Sequence, residues 1–327
     1  MRLETAAFFD LQLNGFAGVD FNDPAVTPEA VSRALDDVRK TGVTRCLPTV
    51  ITSSFEDFAP CARAVLASGH PAVVGFHMEG PYISPEDGFR GAHPRGAVRD
   101  ASVDDFTRRQ DAADGRIRLV TLAPEVPGAL PLIEHLVDLG VKVAIGHSNA
   151  SPEEITDAAS AGATMSTHLG NGCAQVLPRH PNILWSQLGE DRLVAGFIAD
   201  GIHVPPGMLK TMIRAKTKER SILVTDAVVC AGCPPGEYRL GTLDVTLSPE
   251  GRVWSATSGT LAGSALLMND AVANAARFTD LTLGEALALA STRPAAYLDE
   301  VPLGTLEIDW DPEAGTLRVE AVRDGAT

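Results

Sequence analysis

The chain lacks any apolar run approaching the roughly 18 residues that a membrane-spanning helix needs. Its opening, Met1-Arg2-Leu3-Glu4, has no apolar core of the kind a secretion signal carries. Cysteine is scarce: five in 327 residues, odd in number and widely spaced, so no disulfide framework is readable and a reducing compartment fits. A cytoplasmic location is therefore expected. Cations are outnumbered, with 27 Lys and Arg against 42 Asp and Glu and a net charge of -15. A surface of that sign repels nucleic-acid phosphates and anionic membranes, so neither is an expected partner. A small anionic substrate is still admitted, because a few local cations can hold one. Low-complexity segments and short-period repeats are also missing.

What is present is an alternation of short apolar runs with helical stretches. Strands are expected at Ala7–Leu13, Thr44–Val50, Ala72–Met78, Ile117–Leu122, Val141–Ile145, Ala163–Thr167, Val194–Ala199 and Ile222–Val224, eight in all. Their aliphatic and β-branched content suits strands buried on both faces. Helices are expected at Thr27–Lys40 and Ser151–Ala161, each opening with a cap, a proline and an acid, and at Asp270–Phe278 and Leu283–Leu289. Eight strands alternating with helices argue an α/β fold of the (β/α)8 TIM-barrel type; an open doubly wound sheet is the alternative. The tail, Gly304–Val322, alternates about Gly315 and reads as a hairpin. A small, reduced β-layer formed from the chain termini follows. The expected division is a barrel over residues 7–300 and a β-segment over residues 1–6 and 301–327.

Reactive residues of such a barrel project from the C-terminal ends of its strands. There this chain carries Gln12 and Asn14, His77 and Glu79, His147, His168, Asp200 and His203, and Asp226. Two neutral imidazoles and a carboxylate, His147, His168 and Glu79, form a common catalytic metal set with one position left for water. A metal there brings the pKa of its water toward neutrality. Asp226 is placed to take a proton from that water and pass it to a leaving nitrogen. His203 is placed to polarise a carbonyl or bind an oxyanion. Taken singly, these residues have plainer readings: a hydrogen-bonded strand-end histidine, a helix N-cap at Asp226, a carboxylate at Glu79 that only receives backbone N–H groups. Together, compatible groups from separate strands at one face point to hydrolysis of an amide.

The same residues carry a resemblance. Asp10-Leu11-Gln12-Leu13-Asn14-Gly15, His77-Met78-Glu79-Gly80-Pro81, Gly91-Ala92-His93, Gly146-His147-Ser148, Thr167-His168-Leu169 with Asn171, Ala199-Asp200-Gly201-Ile202-His203, Thr225-Asp226 and Gly259-Thr260-Leu261-Ala262-Gly263-Ser264 occur in that order. This set resembles the N-acetylglucosamine-6-phosphate deacetylases, a family within the amidohydrolases. The resemblance implies hydrolysis of the N-acetyl amide of N-acetylglucosamine 6-phosphate to glucosamine 6-phosphate and acetate. It implies that Glu79, His147 and His168 bind the metal and that Asp226 is the general acid/base. It further implies that His93, Asn171 and Gly172 line the sugar site, and that Arg179 and His203 help hold the phosphate and acyl group. By the same analogy the protein is a homodimer, with Arg179 reaching the neighbouring subunit's site.

The chain departs from related patterns in three places. Many amidohydrolases carry His-x-His on the first strand for a second metal. Gln12 and Asn14 stand there instead, and amides are poor ligands for transition metals, so one divalent ion is expected: Zn2+ first, with Fe2+ or another divalent metal as alternatives. Around Pro178-Arg179-His180-Pro181-Asn182, where the resemblance leads one to expect Arg-Glu-Pro-Gly, Arg179 is kept while His180 and Asn182 replace the acid and the glycine. The N-terminal β-segment is short. The loop Gly170–Gln187 therefore leaves room for another substrate of the same mechanism: a different N-acyl sugar, an N-acyl amino acid or a cyclic amide. A non-enzymatic sugar-binding barrel is the remaining rival. Among the other features, Cys230 and Cys233 lack a second pair to form a structural zinc site. Gly259–Ser264 reads either as an anion-holding loop or as a plain turn. His70 and His135 read as structural or exposed, and His77 as a group supporting the metal ligands.

Overall fold

The computed structural model describes residues 1–241, 243–255, 259–323 and 325. Eight strands pair in sequence, each parallel to the next: Phe8–Leu13, Val43–Ile51, Phe76–Glu79, Ile117–Leu122, Lys142–Ile145, Met165–Ser166, Val194–Phe197 and Ser221–Leu223. The ring closes after the eighth strand. Leu13 forms a parallel bridge with Ala227, Asp226 N–H donates to Gln12 O at 3.0 Å, and Asn14 N–H donates to Ala227 O at 2.8 Å. Asp10 reinforces this seam. Its Oδ1 accepts from Gln12 N–H (3.1 Å) and Thr225 N–H (3.2 Å), and its Oδ2 accepts from the Thr225 hydroxyl. Burial pushes the Asp10 carboxyl up to about 7 against the opposing pull of those donors. The fold is a (β/α)8 barrel, and the doubly wound alternative falls.

Helices cover the barrel: Pro28–Arg39, Phe55–Ser68, Val103–Ala112, Ala129–Asp138, Pro152–Ala161, Ile183–Gly189 and Pro206–Lys216 lie between strands, and Met268–Phe278, Leu283–Ala290 and Thr292–Tyr297 follow the last. The caps read in the sequence are used. Thr27 accepts from Ala30 N–H, and Ser151 with Glu154 forms a reciprocal capping box. The third strand starts at Phe76 rather than Ala72, where Phe76 N–H donates to Arg116 O at 2.8 Å. Earlier contact with the second strand is a single bridge of Val73 to Cys46, made through Ala72 O and Val74 N–H.

Two three-stranded antiparallel sheets are added, besides a two-stranded one that pairs Gly15–Phe16 with Val19–Asp20. Arg2–Ala6 pairs with Thr305–Asp311, which pairs with Thr316–Arg323 across a turn containing Gly315. Leu306, Ile308, Trp310 and Leu317 from this terminal sheet join the same apolar core as the barrel. Residues 324, 326 and 327 of the expected terminal segment lie outside the described residues. The second sheet, Gly236–Leu240, Leu243–Leu247 and Val253–Ser255, was not anticipated. Its core of Val228, Val229, Cys230, Leu240, Val245, Leu247, Val253 and Ala262 absorbs Cys230. Burial raises the Cys230 thiol to about 11, which suits packing and not reactivity.

Gly42 ties these layers together at φ +93°, where a Cβ would lie 2.8 Å from both Phe8 and Leu306. Gly42→Ala is expected to destabilise the protein by about 2 kcal/mol through a left-handed backbone and overpacking. A thermal melt showing an unchanged Tm would contradict this account.

Candidate metal centre and active site

Three ligand atoms converge at the C-terminal mouth of the barrel. Glu79 ends the third strand, and His147 and His168 follow the fifth and sixth. Glu79 Oε1 lies 3.2 Å from His147 Nε2 and 3.0 Å from His168 Nε2, and the two imidazole nitrogens are 3.2 Å apart. All three residues are buried. His147 Nδ1–H donates to Phe89 O at 3.0 Å, which leaves Nε2 with its lone pair toward the cluster. Such a convergence of lone pairs fits a cation with borderline-soft character. Burial alone would raise the Glu79 carboxyl, but the contacts with His147 and His168 outweigh it and hold the group well below its ordinary range.

Backbone conformation aims these groups. His147, His168 and Asp226 have φ of +51°, +28° and +51°, in the left-handed region that non-glycine residues seldom occupy. Each stands just after its strand, where the chain turns out of the ladder. Two glycines leave room for the His147 ring: a Cβ on Gly172 would come within 3.0 Å of it, and one on Gly91 within 3.1 Å. Gly172 thus makes room for the ring of a candidate metal ligand, whatever its relation to a sugar.

Asp226 is buried beside the cluster. Its Oδ1 accepts from Asn14 Nδ2 (2.7 Å) and Gln12 Nε2 (3.1 Å). Burial, then the Glu79 charge, pushes its carboxyl up to about 6. No helix follows it, so the N-cap reading fails. His203 Nδ1 sits 2.6 Å from Asp200 Oδ2, while Asp200 Oδ1 accepts from Ile202 and His203 N–H, each at 2.8 Å. This Asp–His pair was missed as a unit; its i, i+3 spacing was the available signal.

His93 lies against His147, ring centroids 4.2 Å apart, with Nδ1 on Thr52 Oγ1 at 2.8 Å and Nε2 4.0 Å from Glu79 Oε2. Burial pushes the His93 imidazole down to about 3, which favours its neutral form. Thr52 had no signal in the sequence. His77 is held by Leu11 O (3.1 Å) and Thr121 Oγ1 (2.7 Å) rather than by a metal ligand. Asn171 turns its amide back to His168 O at 3.1 Å. Arg179 is exposed and makes no hydrogen bond or ion pair with another described residue. Asn182 caps the helix Ile183–Gly189 through Leu184 and Trp185 N–H, a local reason for its departure from glycine. In Gly259–Ser264, the N–H groups of Gly259, Ala262 and Ser264 already serve backbone carbonyls, which favours the plain-turn reading. Among the described residues, no helix is long and apolar enough to cross a membrane.

The profile of the amidohydrolase family matches residues 4–313. N-acetylgalactosamine-6-phosphate deacetylase of Escherichia coli O157:H7 is 34% identical, over 89% of this chain and 77% of that protein. N-acetylglucosamine-6-phosphate deacetylase of Bacillus subtilis (strain 168) is 33% identical, over 88% and 74%. Among solved structures, a mutant N-acetyl-D-glucosamine-6-phosphate deacetylase from Mycobacterium smegmatis, in complex with N-acetyl-D-glucosamine-6-phosphate, matches with a TM-score of 0.88 and 30% identity, covering 99% of this chain and 86% of that one. The chain belongs to the amidohydrolase family, a metal-dependent family of hydrolases acting on carbon–nitrogen bonds. Within it, the chain stands with the N-acetylhexosamine-6-phosphate deacetylases.

Gly172→Ala should press on the His147 ring and weaken metal binding about 10- to 100-fold while the fold is kept. Chelator competition on the purified protein measures this, and undiminished affinity would refute the packing argument.

Proposed function

We propose that this chain is a deacetylase of N-acetylglucosamine 6-phosphate, releasing acetate and glucosamine 6-phosphate. The observation that carries the reading is the buried Glu79–His147–His168 cluster beside a separate carboxylate, Asp226, raised to about 6. Glu79, His147 and His168 would hold one divalent ion, for which Zn2+ is the first candidate and Fe2+ the next. When bound, that ion supplies the Lewis acidity that polarises the acetyl carbonyl and acidifies water. Asp226 accepts a proton from the attacking water and returns it to the sugar nitrogen as the C–N bond breaks, so that the amine can leave. His203 keeps its Nδ1–H on Asp200. That contact fixes the ring, and Nε2 is assigned to the carbonyl oxygen of the substrate.

His93, Asn171 and Gly172 border the cluster and are assigned to the sugar. Arg179 is assigned to the phosphate, for which a planar guanidinium is well suited. Its exposure, with Val176 87% and Trp185 56% exposed on the same stretch, supports a homodimer in which Arg179 serves the neighbouring site. The five free cysteines accord with a cytoplasmic location. The relatives include deacetylases of both the gluco and the galacto sugar phosphate, so the second epimer belongs in the test.

Acetate release by the metal-loaded protein, compared between N-acetylglucosamine 6-phosphate, its galacto epimer and unphosphorylated N-acetylglucosamine, tests the reading; strong preference for a phosphorylated sugar is expected. Slow, equal turnover of all three would point to another amide. Asp226→Asn should keep its metal and lose about 100-fold or more in kcat, and near-normal turnover would remove Asp226 from the mechanism. Arg179→Ala should raise KM for the phosphorylated sugar about 10-fold or more with a smaller change in kcat. An unchanged KM would deny Arg179 the phosphate.

A further inference from the structure

We propose that Gln12 and Asn14 are positioning residues for Asp226, whose two amides occupy one carboxylate oxygen and reserve the other for proton transfer. The inference rests on the reading of Asp226 as the proton-transfer group. Both amide nitrogens converge on the same atom, Oδ1, at 3.1 and 2.7 Å. A carboxylate oxygen with two donors on it has its lone pairs engaged. The incoming proton then goes to Oδ2, which receives no hydrogen bond from either amide. Gln12 lies on the first strand and Asn14 just past its end, and the backbone bonds from Asp226 N–H to Gln12 O and from Asn14 N–H to Ala227 O keep both in register with their target.

The orientation of the amides is chemically determined, since turning either one over would set its oxygen against the carboxylate. For Asn14 that orientation leaves Oδ1 buried with no hydrogen-bond partner among the described residues. An ordinary buried asparagine settles where all its groups are satisfied. Here the orientation of the amide is set by Asp226. The same two –NH2 groups present positive ends of dipoles toward the carboxylate. They discourage a second cation from taking Asp226 as a ligand, and the residue stays free to exchange protons. Gln12 and Asn14 therefore do more than fail as ligands.

The test uses the metal-loaded protein acting on N-acetylglucosamine 6-phosphate. Asn14→Ala should lower kcat about 10- to 100-fold, with KM within about threefold and the metal content per chain unchanged. Asn14→Asp keeps the shape and removes both donors, and should lose at least as much kcat. In the Asp226→Asn background the Asn14→Ala change should cost little more, because residues that act through one group are not additive. Should Asn14→Ala fail to fold by thermal melt, Gln12→Leu carries the same expectation. Wild-type turnover with an undiminished kcat in these variants, or additive losses in the double variant, overturns the inference alone. Absence of wild-type turnover overturns the functional reading and this inference with it.

Discussion

Closure of the barrel between its first strand and the segment after its eighth is the constraint on which the active-site arrangement depends. The seam joins residues more than two hundred positions apart. Asp10 clamps Thr225, Gln12 O takes Asp226 N–H, and Leu13 and Asn14 meet Ala227. No regular ladder runs along it. Its strength lies in a buried carboxyl group whose hydrogen bonds are shielded from solvent, where each bond is worth more than on the surface and an unmade one costs more. The same seam delivers Gln12 and Asn14 to Asp226. Structural closure and the setting of the proposed base are thus one set of contacts.

Around that seam the site is built from backbone that is not relaxed. His147, His168 and Asp226 all occupy the left-handed region. Each such residue costs on the order of 1–3 kcal/mol, tolerated where surrounding packing over-determines the conformation. The parallel ladders beneath and the glycines beside His147 provide that packing. The gain is direction: a side chain at a strand end is turned inward over the barrel mouth, and three strands contribute to one point.

Two buried carboxylates in this small space are driven apart in character. Glu79 is held low by the imidazoles it meets, while Asp226 is raised by burial and by Glu79 itself. Groups of one chemical type whose environments separate their proton affinities can take separate roles. Glu79 is suited to stay ionised and hold a cation. Asp226 is suited to gain and lose a proton near neutrality.

Much of this was determined by sequence alone. Eight apolar runs at barrel spacing, caps at Thr27 and Ser151, the tail hairpin, and His or acid residues at strand ends are local patterns, and local patterns survive in a string of letters. Glu79, His147, His168 and Asp226 could be picked out because barrel strands present their ends at one face. What only the tertiary structure decided are pairings between segments distant in the chain. These include the grip of Gln12 and Asn14 on Asp226, Thr52 on His93, Phe89 O on His147, and Gly172 against an imidazole. The sheet over Gly236–Ser255 and the late start of the third strand belong with them, since a loop residue's partner and a strand's first hydrogen bond depend on what packs alongside. The physical reason is the same throughout: propensity and periodicity act over a few residues, while hydrogen-bond satisfaction in a buried site is settled by whichever groups the closed barrel brings within 3 Å or so.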